Sequence, residues 1–77
     1  MNGNNSIMVQ CLLGHSSRYQ VAWIPERKAV VCAIVELIDK DRRHPGWRVI
    51  SAGTRLPEAY VRERSRDYVN TRRASDI

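Results

Sequence analysis

The sequence predicts a small α+β domain, with an antiparallel sheet of about three strands and a basic C-terminal helix. The chain has 77 residues, 43% of them hydrophobic, which is enough for one modest core and too much for wholesale disorder. Two segments alternate with the period of a strand, and the segment after Pro57 has the signals of a helix start. We therefore assign residues 7–77 to one domain and the polar residues 1–6 to a mobile N-terminal tail.

The first part of the chain contains one ambiguous segment and one clear strand. Ile7–Leu13 is apolar but short, and its pattern fits either a strand or a helical turn. Gly14–Ser17 has the composition of a loop. Tyr19–Ile24 alternates strictly and places its larger β-forming side chains on one face: Tyr19, Val21 and Trp23. We expect this strand to end at Pro25, which has no amide hydrogen for the ladder.

Residues 25–38 permit two interpretations. Pro25 and Glu26 favour a helical turn, since proline fits the first helical position and a carboxylate stabilises the positive end of the helix dipole. The run Ala29–Ile38 is almost entirely apolar, and its Val and Ile residues favour a buried strand. A single helix over Pro25–Asp39 fits the same run, because a short apolar segment has no readable period. We prefer a helical turn followed by a strand from about Ala33 to Asp39.

A charged loop and a further strand follow. Asp39–Gly46, with the sequence DKDRRHPG, closes on a Pro-Gly turn dipeptide. Trp47–Ala52 alternates again and is predicted to be a strand that Gly53 ends. Because Trp23 and Trp47 belong to alternating segments and share a face with Val21 and Val49, we expect both indoles to be largely buried.

The C-terminal helix is predicted to begin at Pro57, with Glu58 in its first turn. Residues at four-residue spacing form a thin apolar stripe on a mostly charged helix: Leu56, Tyr60, Arg64 and Tyr68. Glu58 is spaced to pair with Arg62, and Glu63 with Arg66.

The net charge of +5 lies entirely in the second half of the chain. Residues 1–41 contain four basic and four acidic side chains, whereas residues 42–77 contain nine arginines and four acids, a difference of five. A surplus confined to one end indicates a contact surface for an anionic partner. The candidate contact residues lie on the helix and on the charged loop: Arg62, Arg66, Arg73, Tyr68, Arg42 and Arg43.

Three interpretations of these residues stay open. As a nucleic-acid surface, the arginines contact phosphates and a tyrosine stacks on a base. As a protein contact, the arginines meet acidic side chains and the tyrosines anchor the interface. As a structural element, the tyrosines pack on the sheet and the arginines are simply solvated. Glu63 and Asp67 interrupt the basic run, which argues against a surface dedicated to phosphates alone.

The residues that could carry metal or catalytic chemistry form no recognisable motif. The sulfur and imidazole ligands number four, as tetrahedral zinc requires, but contain no Cys-x-x-Cys pair: Cys11, His15, Cys32 and His44. A zinc-stabilised structural module is therefore kept only as an alternative. No acid/base pair, activated nucleophile or phosphate-binding glycine loop is evident, so we expect a protein that is not an enzyme and needs no cofactor or small-molecule substrate.

No signal peptide and no segment long enough to span a bilayer is evident in the sequence, so we expect a cytoplasmic protein with no membrane partner. The two cysteines do not make a disulfide framework, which agrees with a reducing compartment.

Three segments resemble small proteins encoded by tailed bacteriophages. They are YQVAWIPERKAVV (Tyr19–Val31), GWRVISAG (Gly46–Gly53) and YVRERSRDYVNTRRASDI (Tyr60–Ile77), and together they cover about half the chain. In size and basic character the chain is similar to transcription antiterminators of the Xanthomonas-phage type, which bind host RNA polymerase, hinder initiation and let elongation pass terminators. The resemblance implies host RNA polymerase as the partner, with nucleic acid as a further contact in the same complex, and it carries over no individual residue.

Overall fold

The computed structural model describes residues 6–75, except for the side chains of residues 70 and 72–75. It contains five strands and one α-helix: β1 (Ile7–His15), β2 (Arg18–Pro25), β3 (Ile34–Asp39), β4 (Arg42–Pro57), α1 (Glu58–Arg64) and β5 (Asn70–Ser75). The strands form one sheet in the spatial order β2-β1-β4-β3-β5, and every neighbouring pair is antiparallel. The predicted α+β class with a small antiparallel sheet is confirmed, but the predicted number of about three strands is wrong.

The structure shows which interpretation holds for each of the two segments that the sequence left ambiguous. Ile7–Leu13 belongs to β1, which pairs on both sides and therefore satisfies its backbone in the sheet. After Pro25, a short 3₁₀ helix (Glu26–Lys28) precedes β3, as the preferred interpretation predicted. The charged loop is shorter than predicted, since Lys40 and Asp41 alone form the β3–β4 turn and β4 begins at Arg42.

Strand β4 is the longest element, with 16 residues, and it extends beyond the predicted strand at both ends. Its first part pairs with β3 and its second part with β1, and both partners meet it at Arg48. Gly53 does not end the strand; instead the register shifts by one residue between Val9 and Cys11 of β1. Such bulges bend a strand and increase its twist, which allows one strand to serve two parts of a curved sheet.

The curvature brings the two edges of the sheet together. A parallel bridge joins Trp23 of β2 to Tyr68, two residues before β5, and the Trp23 amide donates to the Asp67 carbonyl at 3.4 Å. Since β2 and β5 are the two edge strands, this contact makes the sheet a partly closed barrel. The barrel therefore has an inner face and an outer face.

The inner face holds the main core. Alternate residues of four strands point inward and are almost completely buried: Val9, Cys11, Leu13, Ala22, Ile24, Val35, Leu37, Trp47 and Val49. Trp47 is 7% exposed, and its ring lies 5.4 Å from the His15 ring, centroid to centroid. Gly46 beside it has a φ of +83°, a conformation that favours glycine. The expected burial of Trp47 is confirmed.

A second, smaller core lies on the outer face beneath α1. Met8, Trp23 and Val61 are buried there, with Leu56 and Tyr68 packed against them. Trp23 is 5% exposed, so its expected burial is also confirmed. Its predicted companions on the same face behave differently, because Tyr19 is 65% exposed and Val21 is exposed too.

The predicted basic C-terminal helix is wrong in length and in charge. Helix α1 ends at Arg64 and carries Glu58 and Glu63 against Arg62 and Arg64, so its side-chain charges cancel. The Ser65 hydroxyl accepts a hydrogen bond from the Asp67 amide at 3.1 Å, a local bond that competes with helix continuation. The arginine-rich segment beyond it pairs with the free edge of β3 as β5. No helix among the described residues is long and apolar enough to cross a membrane.

The predicted mobile tail falls mostly outside the described residues, which begin at Ser6. Ser6 itself is tied to the start of α1, because its carbonyl accepts a hydrogen bond from the Glu58 amide at 2.9 Å.

Candidate binding surfaces

Arg62 and Tyr68, two of the predicted contact residues, form a bonded group with Glu58. Arg62 Nη2 donates to Glu58 Oε2 at 2.8 Å, and the Tyr68 hydroxyl donates to the same oxygen at 3.0 Å. The Arg62 guanidinium also lies 5.8 Å from the centre of the Tyr68 ring. This Glu58–Arg62–Tyr68 group joins the helix to the segment that leads into β5, so it braces the fold.

The pKa values of Arg62 and Tyr68 are both raised in this group. Hydrogen bonds with Tyr68 and then with Glu58 raise the pKa of Arg62. Burial is the main reason that the pKa of Tyr68 is raised. Because the Glu58 carboxylate compensates the Arg62 charge, Arg62 is a weaker attractor for an anionic partner than its sequence position suggested.

The remaining predicted residue near the helix, Arg66, is exposed on the turn after α1. The predicted pair between Glu63 and Arg66 is not formed; Glu63 lies 3.6 Å from Arg64 instead, since the helix ends before Arg66. Arg64 also covers the Tyr60 ring at 4.4 Å. A groove of about 390 Å³ lies beside these residues, and Asp67 contributes a carboxylate to its lining. Among the described acids, none forms an ion pair with Arg66.

Arg42 and Arg43 lie at the β3–β4 hairpin and are exposed. In the register, Arg42 faces Asp39 and Arg43 faces Ile38, which in turn pairs with Asn70 of β5. Neither arginine is within 4 Å of a described carboxylate, so both charges are available. The side chain of Arg73 lies outside the described residues; its backbone is in β5, where the register with β3 shifts.

The structure therefore brings only part of the predicted set together. Arg62 and Tyr68 are in contact, Arg66 lies on the adjoining turn, and Arg42 and Arg43 are consecutive residues at the start of β4.

The candidate zinc ligands lie in unlike environments. Cys11 is in the inner core, where burial raises the pKa of its thiol to about 11, and His15 packs on Trp47. Cys32 is exposed in the turn before β3, and His44 is exposed on β4. Within the described part of the chain, no group of three or more metal-ligating side chains is close enough to hold an ion. The zinc alternative thus has no geometric support.

Sequence reasoning missed one surface, the open end of the outer face, which α1 does not cover. It comprises Gly14, Tyr19, Ile34, Arg48 and Ile50. Four of these form one row across the sheet: Tyr19, Gly14, Arg48 and Ile34. The alternation of β2 signalled that Tyr19 and Trp23 share a face, but where the helix would stop was not readable from that pattern.

Comparison with known proteins identifies no relative: no protein-family model, no curated protein and no solved structure matches this chain.

Proposed function

We propose that this protein is a phage-type transcription regulator that binds host RNA polymerase in the bacterial cytoplasm and affects initiation and termination. Two features support the proposal. The segments around Tyr19–Val31, Gly46–Gly53 and Tyr60–Ile77 resemble small phage proteins, and the whole charge surplus of +5 lies in residues 42–77. A basic surface suits the acidic protein surfaces and the nucleic acid that a polymerase offers.

The observation that carries the proposed contact is the exposed Arg42–Arg43 pair. The hairpin turn has only two residues, Lys40 and Asp41, so the strands hold the backbone of both arginines firmly. Arginine suits carboxylate partners because its planar guanidinium binds them through two hydrogen bonds. We expect Arg62 to contribute less to the polymerase contact, because its guanidinium already donates a hydrogen bond to Glu58. Arg66, on the turn after α1, is a second contact.

A co-purification assay tests the proposal. Tagged protein is mixed at about 150 mM salt with purified bacterial RNA polymerase free of nucleic acid, beginning with that of a Xanthomonas host. We expect stable retention of the wild type and strong loss with the double variant Arg42→Ala/Arg43→Ala, because two uncompensated charges leave the interface. The matched control Arg18→Ala/Arg27→Ala removes the same charge from the half of the chain whose charges balance.

Two outcomes would contradict the proposal. Absence of polymerase from the eluate of a folded wild-type sample would contradict the proposed binding to RNA polymerase. Equal losses with the hairpin variant and the control would show that net charge, rather than the hairpin, drives retention. The nucleic-acid module built on a basic helix, the earlier alternative, has less support because the charges of α1 cancel.

A further inference from the structure

We propose that the open end of the outer face is a binding site for single-stranded RNA, with one base stacked on Tyr19 and the adjoining phosphate on Arg48. The inference goes beyond the polymerase contact and does not depend on it, because Arg42 and Arg43 are not among the residues that line this site.

The shape of the site follows from Gly14. Tyr19 and Ile50 converge on this glycine: a Cβ placed on it would lie 2.6 Å from Ile50 Cδ1 and 3.4 Å from Tyr19 Cε1. Because Gly14 has no side chain, Ile50 and Tyr19 pack closely over its backbone, and they border a depression of about 440 Å³, which lies within the roughly 300–1,000 Å³ of small-ligand sites. The depression is large enough for one nucleotide.

An aromatic ring is available for stacking in this depression. Tyr19 is 65% exposed, although it lies on the same strand face as the buried Trp23. Bases stack on such rings in many proteins that bind single strands, and the interaction tolerates different bases. Ile50 of β4 and Ile34 of β3 add apolar surface to the same depression, two and three strands away from Tyr19.

The charge of the site favours a polyanion. Arg48 is exposed in the middle of the row, directly between Gly14 and Ile34, and no described carboxylate is within 4 Å of it. The lining contains no Asp or Glu. The acid of β3 that shares this face is Glu36, two residues along the strand from Ile34 and partly buried. A second copy of this basic chain is disfavoured here by like charge, and a duplex would keep its bases stacked and out of reach.

His15 and Ser16 at the rim favour RNA over DNA. Both residues line the depression, and an imidazole and a hydroxyl are groups that can hydrogen-bond a 2′-hydroxyl. The competing groove beside α1 also holds an aromatic and two arginines, but Arg64 already covers Tyr60 and Asp67 adds a negative charge.

Fluorescence anisotropy with a labelled 12-nucleotide unstructured RNA tests the site on the full chain. Tyr19→Ala should weaken binding by about five- to 150-fold, the loss typical of one stacked base, while Tyr19→Phe retains affinity. Arg48→Ala should reduce the slope of log affinity against log salt by about 0.7, as the loss of one phosphate contact predicts. The matched controls Tyr60→Ala and Arg27→Ala should bind like the wild type.

Several results would overturn the inference. They are absence of RNA binding at about 50 mM salt, an equal loss with Tyr60→Ala and Tyr19→Ala, or Tyr19-dependent self-association in sedimentation without RNA. Equal or tighter binding of a DNA strand of the same sequence would overturn the assignment to RNA. Circular dichroism of each variant checks that it is folded. If Tyr19→Ala does not fold, the salt slope of Arg48→Ala tests the site, and a slope equal to that of the wild type would overturn the inference.

Discussion

Each end of the outer face carries an aromatic side chain of β2, and helix α1 covers the one at the closed end but not the one at the open end. At the closed end, Trp23 lies under Val61 of the helix and is 5% exposed. At the open end, Tyr19 lies on the same strand face and is 65% exposed. In a domain of this size, an aromatic side chain that is covered adds stability, and one that is uncovered is available for binding.

The difference follows from the length of the helix. Helix α1 has seven residues and ends where Ser65 bonds to the Asp67 amide. The Glu58–Arg62–Tyr68 group then directs the chain back over Trp23 and into β5. The helix therefore covers one end of the sheet, and the row through Gly14 stays open.

The largest expected effect is the loss of stability when a covered tryptophan is truncated. Trp23→Ala and Trp47→Ala should each cost about 3–5 kcal/mol, because a large cavity opens in one of the two cores. That is much of the free energy of unfolding expected for a small domain. Urea unfolding measures it, with Tyr19→Ala as the matched control, which should stay within about 0.5 kcal/mol. A Trp23→Ala variant as stable as Tyr19→Ala would remove the distinction between the two ends.

A smaller loss of stability should come from the titration of Cys11, which lies in the inner core beneath both ends. Burial raises the pKa of Cys11 from 9.0 to about 11, so folding is favoured below pH 9 and this contribution is lost as the pH approaches 11. We expect a loss of roughly 1–2 kcal/mol between pH 8 and pH 10.5 that Cys11→Ala does not show. Subtracting the pH profile of Cys11→Ala from that of the wild type removes the contributions of Lys28 and Tyr68 to the pH dependence of stability, because both proteins contain these residues.

Thiol labelling checks the same assignment at neutral pH. Because Cys32 is exposed and Cys11 is buried, a thiol reagent should label Cys32 quickly and should label Cys11 only when the protein unfolds. Rapid labelling of both cysteines would contradict the placement of Cys11 in a closed inner core.

The brace at the closed end should have a modest effect. Tyr68→Phe removes the hydroxyl that donates to Glu58 and should lower the free energy of unfolding by about 1 kcal/mol. The control is Tyr60→Phe, whose ring is 48% exposed. If both variants are equally stable, the hydrogen bond does not hold the segment between α1 and β5.

Much of the fold was predictable because strand alternation is a local property. The burial of Trp23 and Trp47, and a helical turn followed by a strand between Pro25 and Asp39, followed from residue pattern alone. The strand count and the helix length were not, because they depend on a distant partner. The sequence after Ser65 has helical spacing, yet the free edge of β3 was available to pair with it as β5.

The candidate sites were less predictable than the fold. Charge counting located the arginines of residues 42–77 but not their partners. It therefore predicts Arg62 as a contact residue, although its guanidinium donates a hydrogen bond to Glu58 in the structure. The open site depends on Gly14, Tyr19 and Arg48, which lie on three different strands and become neighbours only through register. The spacing of these three residues along the sequence does not indicate the strand register that makes them neighbours.

The most direct test of this division is amide chemical-shift mapping on ¹⁵N-labelled protein titrated with the 12-nucleotide RNA. The account predicts that the largest shifts cluster at the open end, at Gly14, Tyr19, Arg48 and Ile50, and that the amides of Glu58–Arg64 stay unchanged. Shifts centred on α1 and the Arg66 turn, or on the Arg42–Arg43 hairpin, would contradict it.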